Sequence, residues 1–414
     1  MTTPTDEHSG AAAYLRLIDP AVRADPYPVY ARIRDGGPFR VAGAPIVVLS
    51  GYADCAAMLR HPAAGVDRTL STARLATMPV YRAGSDDRTD EAVPSFLFLD
   101  PPDHTRLRRL VSKAFTPRVV ARLEPRITEI VDTLLDSALT AGGFDAVADL
   151  AYPLPVTVIC ELLGVPLADE QRLGHWSRIV SRCLDPTSRS LPQFRADPDE
   201  LRRAADDMYA YFEELIDVRR AHPGPDLLSE LIAAEEAGDT LTHGELISTC
   251  ALLLTAGHET TVNLIANAVL ALLRDPRHLA ALRADPGSAA GIVEETLRYD
   301  PPVQLIPRIA ADDLDIGGTR IDHGDIVIML IAAAHRDPVV FSDPDRFDPT
   351  RENRHLAFGL GAHFCLGAPL ARREAIVALT RFAQRVESPR LHSDPPPYRP
   401  HINLRGPEAI QITL

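Results

Sequence analysis

Apolar residues return every three or four positions through most of the chain, the spacing that lays one face of a helix on a core. Within 124–139 they fall at Ile127, Ile130, Val131, Leu134 and Leu135. The same pattern predicts helices over 156–163, 169–183, 199–220, 226–236, 243–273, 276–283 and 287–298, and a last one from about 366 to 385. Earlier, 25–34 opens with prolines and turns helical, and 52–60 is helical. The period changes at 46–49, an unbroken apolar run that predicts a short strand. Strands are also predicted at 308–316 and 326–330, with Gly317-Gly318 as a turn, and as short pieces in the proline-rich tail 386–414. Residues 61–98 carry Gly, Pro, Ser and Asp throughout, and a loop of that length in a compact domain is functional or mobile. Pro186, Pro192 and Pro198 break the chain between two helices.

The architecture predicted is mainly α with a smaller β region, mostly C-terminal. No linker divides it, so residues 25–414 form a single domain after an N-terminal tail, 1–24. With 414 residues, 46% of them hydrophobic, a sizeable core is available. A net charge of −14 lacks the basic face that general nucleic-acid binding needs. The most apolar stretch, 246–273, has the length of a membrane span, but His258, Glu259 and two threonines sit at its middle, where charge is costly in lipid. The N-terminus, MTTPTDEHSG, has no apolar signal segment. Five scattered cysteines with no C-x-x-C make neither a disulfide framework nor a zinc ribbon. A cytoplasmic protein with no membrane partner is the expectation. Arginine dominates over a single lysine, Lys113, a bias expected of a GC-rich bacterial genome.

Candidate chemistry gathers at one stretch, F-G-L-G-A-H-F-C-L-G, Phe358 to Gly367. Cys365 precedes a predicted helix whose first turn carries Pro369, where a missing N–H does no harm. Free N–H groups at a helix start favour a thiolate. Gly359, Gly361 and Gly367 remove side chains, so a flat, bulky group has access to the backbone. A lone cysteine in a glycine-rich turn is ordinarily structural; the spacing F-G-x-G-x-H-x-C-x-G sets this one apart. It resembles the haem-binding loop of cytochromes P450. The resemblance implies haem b as cofactor, Cys365 as the axial thiolate ligand of its iron, His363 at a propionate and Phe358 packed beside the sulfur, with Gly367 completing the loop. Thiolate ligation pushes electron density toward iron and favours O–O cleavage.

Other segments resemble the same family, in order. A-G-H-E-T-T, 256–261, lies inside the long apolar helix. Gly257 in a helix interior costs about 1 kcal/mol against Ala, which suggests that something needs the room, and a threonine there bonds back one turn and bends the helix. By resemblance, Ala256 borders the haem, Thr260 hydrogen-bonds the dioxygen or its water, and Glu259 feeds protons through water. In E-E-T-L-R, 294–298, Glu295 and Arg298 share a helix face. Alone they are an exposed ion pair worth under about 1 kcal/mol; the family's E-x-x-R pair instead pins the haem-loop core through a third partner, here Arg346 or Arg351. D-P-P-D-H-T-R-L-R-R, 100–109, sets His104 and Arg108 on one face toward the propionates, and Arg308 resembles another propionate contact. A-A-H-R-D-P, 333–338, departs from relatives in carrying His335 where Asn is common, which puts a local turn bond in doubt.

The implied activity is monooxygenation: one oxygen atom of O2 is inserted into a C–H bond or double bond. No flavin or nicotinamide segment is present, so electrons are expected from a ferredoxin and its reductase with NAD(P)H, docking on Arg106, Arg109, Arg372 and Arg373. A peroxygenase is the alternative within the resemblance; such relatives tend to lose the acid–alcohol pair, which Glu259-Thr260 keeps. A haem carrier or sensor is the non-catalytic alternative. By the family layout the substrate touches the 61–98 loop, the 184–198 connection, Leu252, Leu253, Ala256, Val303, Leu305, Ile306 and the tail near Ile402. That apolar lining implies a lipophilic molecule, polyketide, terpenoid or steroid-like, handled by a monomer in bacterial specialised metabolism.

Overall fold

A computed structural model describes residues 10–72, 93–140, 142–182, 197–236 and 241–414. The predicted 184–198 connection lies outside these except for its last two residues, as do Cys183 and most of the 61–98 loop.

The organising element is a 32-residue helix, His243–Arg274. A capping box starts it: the Thr242 side chain accepts from the Glu245 N–H, and the Glu245 carboxylate accepts from the Thr242 N–H. It runs about 48 Å at 1.5 Å per residue and is buried almost all round. Against it pack the helices Pro153–Leu163, Glu170–Ser181, Pro198–Ala221, Ala289–Tyr299 and the last helix, Ala368–Arg385. The last helix also lies along Pro117–Thr140. Their apolar faces form the main core, with Leu246, Leu254, Val262 and Leu272 from the central helix meeting Leu150, Leu154, Val293 and Phe382. Pro117–Thr140 starts seven residues before the predicted 124 and runs through Pro125. Packing overrides the missing donor there.

The β region is smaller. Five strands, β1 (Phe39–Arg40), β2 (Ile46–Leu49), β3 (Ala64–Gly65), β5 (Ile306–Ala310) and β8 (Ile326–Met329), make a sheet in the order β1-β2-β8-β5-β3. β2 and β8 run parallel, Ile46 opposite Ile326 and Leu49 opposite Met329. Their alternate residues feed two cores. Val47, Leu49, Val327 and Met329 pack with Met58 and Leu59 of helix Tyr52–Arg60. Val48, Ile326 and Ile328 pack with Tyr30 and Ile33 of helix Tyr27–Asp35. Burial on both faces is why 46–49 is apolar without alternation.

The predicted strand 308–316 is two strands: β5 ends at Ala310 and β6 (Leu314–Ile316) begins a hairpin with β7 (Thr319–Ile321). Asp312 and Asp313 part them, the Asp312 carboxylate accepting from the Asp313 N–H, a turn bond that β-branched patterning does not register. Gly317 and Gly318 make the hairpin turn, both with positive φ. In the tail, β9 (Arg390–Leu391) and β10 (Gln411–Thr413) join β4 (Gly143–Asp145) in a small sheet. Among the described residues no helix is long and apolar enough to cross a membrane.

Candidate active site

The cysteine loop is shaped by its glycines. Gly359 and Gly361 adopt φ of 68° and 70°, in the left-handed region, and a Cβ on Gly361 would stand 2.8 Å from the Leu59 carbonyl oxygen. The Cys365 N–H donates to the Phe358 carbonyl (2.8 Å), closing the loop just before the helix Ala368–Arg385. A Cβ on Gly367 would meet nothing within 4 Å, so the protein itself does not fill that side. Burial pushes the Cys365 thiol up; the N–H groups of Gly367 and Ala368 and the Arg108 and Arg372 guanidiniums oppose it.

Around this loop sits an excess of donors. The helix Asp103–Val111 buries His104, whose ring lies 4.1 Å from that of His363, centroid to centroid. Both ring nitrogens of His104 and Nε2 of His363 are buried with no hydrogen-bond partner. Burial lowers the His104 pKa to about 4, helped by His363 and Arg108. Arg308, from β5, is 8% exposed and donates to the adjacent Pro307 carbonyl (2.9 Å); burial lowers its pKa to about 10. Arg108 donates through Nη2 to the Phe364 carbonyl. A carboxylate, Asp100, is 3.9 Å from His363 Nε2 and accepts from the Val66 and Asp67 N–H groups. Buried donors without acceptors call for an anionic partner, and the two propionates of haem b fit that need. His104, Arg108, Arg308 and His363 are thus brought together beside Cys365.

The central helix supplies the opposite wall. Between 245 and 270 every residue is buried except Leu252, Ala256, Gly257 and Thr260, which form one stripe. The Thr260 hydroxyl donates to the Ala256 carbonyl (2.8 Å), leaving its lone pairs as acceptors. Gly257 does not give way to protein: a Cβ there would meet only Ile159, at 3.7 Å, an ordinary contact. Glu259 lies off this stripe. Its carboxylate, 4% exposed, accepts from Arg399 of the tail and stands 3.9 Å from Arg178 Nε. Acid and alcohol are chain neighbours whose side chains leave the helix about 100° apart.

Of the predicted substrate contacts, Leu252 and Ala256 lie on the stripe, and Val303 and Ile306 are half-buried, Val303 bridging to Leu404. Leu253 instead packs in the main core, and Leu305 and Ile402 in the core of the N-terminal helices. Their apolar character answers packing.

Glu295 and Arg298 are fully buried, not an exposed pair. Arg298 donates to both Glu295 oxygens (2.7 and 2.8 Å) and to the carbonyls of His335, Pro344 and Arg346 (3.0, 2.7 and 3.0 Å). Arg351 brings Nε to 3.7 Å from Glu295, so the third partner's side chain is Arg351, while Arg346 contributes its backbone. His335 is buried, and its Nε2 accepts from the Leu356 N–H (2.7 Å), a bond that reaches the start of the cysteine loop.

The predicted basic patch is largely committed. Arg106 pairs with Glu245 (2.6 Å), Arg372 with Glu294 (2.6 Å) and Arg373 with Glu124 (2.9 Å). Arg109 is exposed and has no ion pair among the described residues. Arg372 also stacks on Phe358, 4.5 Å from the ring centre. Sequence reasoning missed Arg178 and Arg399; no local pattern ties residues 81 and 140 positions from Glu259 to it.

Comparisons with known proteins bear on the family and the fold. A model of the family described as cytochrome P450 matches residues 39–414. The chain is 42% identical over 402 residues to the cytochrome P450 monooxygenase PikC of Streptomyces venezuelae, covering 94% of this chain and 91% of that protein. It is 39% identical over 424 residues to a vitamin D(3) 25-hydroxylase of Pseudonocardia autotrophica, covering 100% and 98%. The ligand-free crystal structure of CYP164A2 from Mycobacterium smegmatis superimposes with a TM-score of 0.89 at 52% identity, covering 98% of this chain and 100% of that one. The chain belongs to the cytochrome P450 family and is a monooxygenase whose cofactor is haem b.

Proposed function

We propose that the chain inserts one oxygen atom from O2 into a lipophilic small molecule, with Cys365 as the ligand of haem iron. The observation that carries this is the set of buried, unpartnered ring nitrogens on His104 and His363, with the buried Arg308 guanidinium close by, beside the cysteine loop. Haem b, when bound, supplies oxygen activation and electron storage. The protein's own groups do the rest. His104, Arg108, Arg308 and His363 bind its propionates through charge-assisted contacts. Phe358, Gly359, Gly361 and Gly367 shape the loop on the sulfur side. Thr260 accepts and orients a hydrogen bond above Ala256, and Glu259 takes a proton from water and passes it toward Thr260. Glu295 and Arg298, with Arg351, hold the segment that carries the loop; their role is structural.

Leu252, Val303 and Ile306 line the substrate side and favour an apolar molecule such as a polyketide, terpenoid or steroid; one relative is named as a hydroxylase of vitamin D(3). Hydroxylation and epoxidation both suit this lining. Electrons come from a separate ferredoxin and its NAD(P)H-dependent reductase, with Arg109, exposed and without an ion pair among the described residues, on the docking face. The protein works as a monomer in the bacterial cytoplasm, with residues 25–414 as one unit, in specialised metabolism. Retention of Glu259-Thr260 favours O2 over peroxide as oxidant.

The test is the reduced protein gassed with carbon monoxide. The parent is expected to show the red-displaced Soret band of a thiolate complex and Cys365→Ser to lose it. A parent loaded with haem but lacking that band would refute the assignment. A spectral screen for compounds that move the iron from low to high spin then identifies the substrate.

A further inference from the structure

Three side chains on one face of the central helix are polar, buried and poorly satisfied. Glu259, Asn263 and Asn267 stand four residues apart, so each lies about 6 Å further along the axis on nearly the same side. They are 4%, 0% and 3% exposed. Glu259 Oε1 accepts no hydrogen bond, neither amide atom of Asn263 has a partner, and Asn267 Oδ1 has none. Of the two amides only the Asn267 nitrogen is used, donating to the carbonyls of Asp300 (2.9 Å) and Arg405 (3.3 Å). From Val262 to Asn267 the other residues, Val262, Leu264, Ile265 and Ala266, are apolar and buried. Four orphaned atoms along this one face require partners, and buried polar atoms without protein partners hold water.

The tail covers this stripe. Arg399 bonds Glu259, Gly406 lies against Asn263 so closely that a Cβ would collide with its amide, and the Arg405 carbonyl receives Asn267. The far end is open. Asn267 lines a surface cleft of about 500 Å³ together with Leu270, Arg274, His278, Tyr299 and Asp300.

Glu259 also needs a proton source that its visible partners do not provide. Arg399 and Arg178 are guanidiniums, which do not release protons in proteins; they hold the carboxylate and relay nothing. We infer that a file of water molecules runs between the central helix and the tail, from the cleft at Asn267 past Asn263 to Glu259, and delivers protons to the acid. Each water accepts a proton on one side and gives one on the other, so charge balances and one proton moves from solvent to Glu259. The asparagines keep their own protons; their carbonyls accept from the waters and their free N–H groups donate. They are positioning residues. The inference rests on the role given to Glu259 above.

The experiment compares Asn263→Leu, Asn267→Leu, Gly406→Ala and Glu259→Gln with the parent, all haem-loaded, using the compound with the strongest spin-state change in the binding screen as probe. Product formed per NADPH and the D2O solvent isotope effect are measured, and the parent is crystallised to resolve ordered water. Expected are ordered waters at Asn263 and at Asn267 Oδ1, about a tenfold loss of product per NADPH in Asn263→Leu, an enlarged isotope effect, and an unchanged carbon monoxide spectrum and spin shift. If Glu259→Gln is impaired while both asparagine variants match the parent, the file is wrong and the acid's role stands. If Glu259→Gln itself matches the parent, that role fails and the file with it. Should the variants not take up haem, the water density decides alone: a dry Asn263 overturns the inference.

Discussion

Replacing Glu295 by Gln keeps shape and removes one charge from a fully buried ion pair. In the parent, Arg298 spends five hydrogen bonds on Glu295 and three carbonyls, and Glu295 also accepts from the Asp348 N–H (2.8 Å) and the Asn353 amide (3.2 Å). In the variant, an amide nitrogen faces donors that had met an oxygen, and the Arg298 cation, 0% exposed, loses its counterion. Breaking one side of a buried pair costs about 3–5 kcal/mol, a large part of the roughly 5–15 kcal/mol that holds a protein folded. The loss falls on residues 335–353, which lead into the cysteine loop, so haem retention falls with it. Urea unfolding followed by Trp176 fluorescence and by the Soret band measures both; the two curves are expected to separate in the variant, because haem loss precedes global unfolding. Arg202→Gln, which breaks the exposed pair with Asp199, is the control, with no resolvable shift expected. A Glu295→Gln protein within about 1 kcal/mol of the parent, with haem equally held, would refute the reasoning.

Gly361→Ala forces an unfavourable φ and a contact with the Leu59 carbonyl, so about 1–3 kcal/mol of strain and sharply reduced haem incorporation are expected, read from the ratio of Soret to protein absorbance. Burial alone would raise the Glu294 carboxyl, but bonds from His355 and Arg372 hold it down at about 2. Its folded pKa is below the unfolded value, so its stabilisation is present above about 4.5 and lost as pH falls toward 2. Glu294→Gln should flatten the acid limb of a stability-versus-pH curve in that window, and an unchanged limb would count against the Arg372–Glu294–His355 cluster. Arg109→Glu should slow reduction by ferredoxin at low salt, whereas Arg373→Gln, already paired to Glu124, should change it less; stopped-flow reduction rates decide.

What was legible in the sequence was what neighbours along the chain determine. Helix 243–274 announces itself by composition. The cysteine loop is local too: glycine positions, helix start and sulfur all lie within ten residues. Hidden were matters settled across the chain. Leu253 and Leu305 read as pocket residues because an apolar side chain looks the same facing a core or a ligand. The direction of Glu259 depends on a tail arginine, and the commitment of Arg106 depends on Glu245, which lies in a different helix. The Arg346–Arg351 ambiguity was of the same kind, since only the fold distinguishes a guanidinium at 3.7 Å from a backbone carbonyl doing the neighbouring work.

The parallel pairing of β2 with β8 has a consequence for synthesis. Ile46 meets Ile326, a partner 280 residues later in the chain. On a ribosome adding about 5–20 residues per second, the first strand waits roughly a quarter of a minute to a minute for its mate. Throughout that interval Ile46, Val47, Val48 and Leu49 present a bare hydrogen-bonding edge with apolar surface on both sides, the kind of segment that sticks to other nascent chains. Yield in a host therefore depends on chaperone occupancy at this four-residue stretch, long before any prosthetic group has a place to bind.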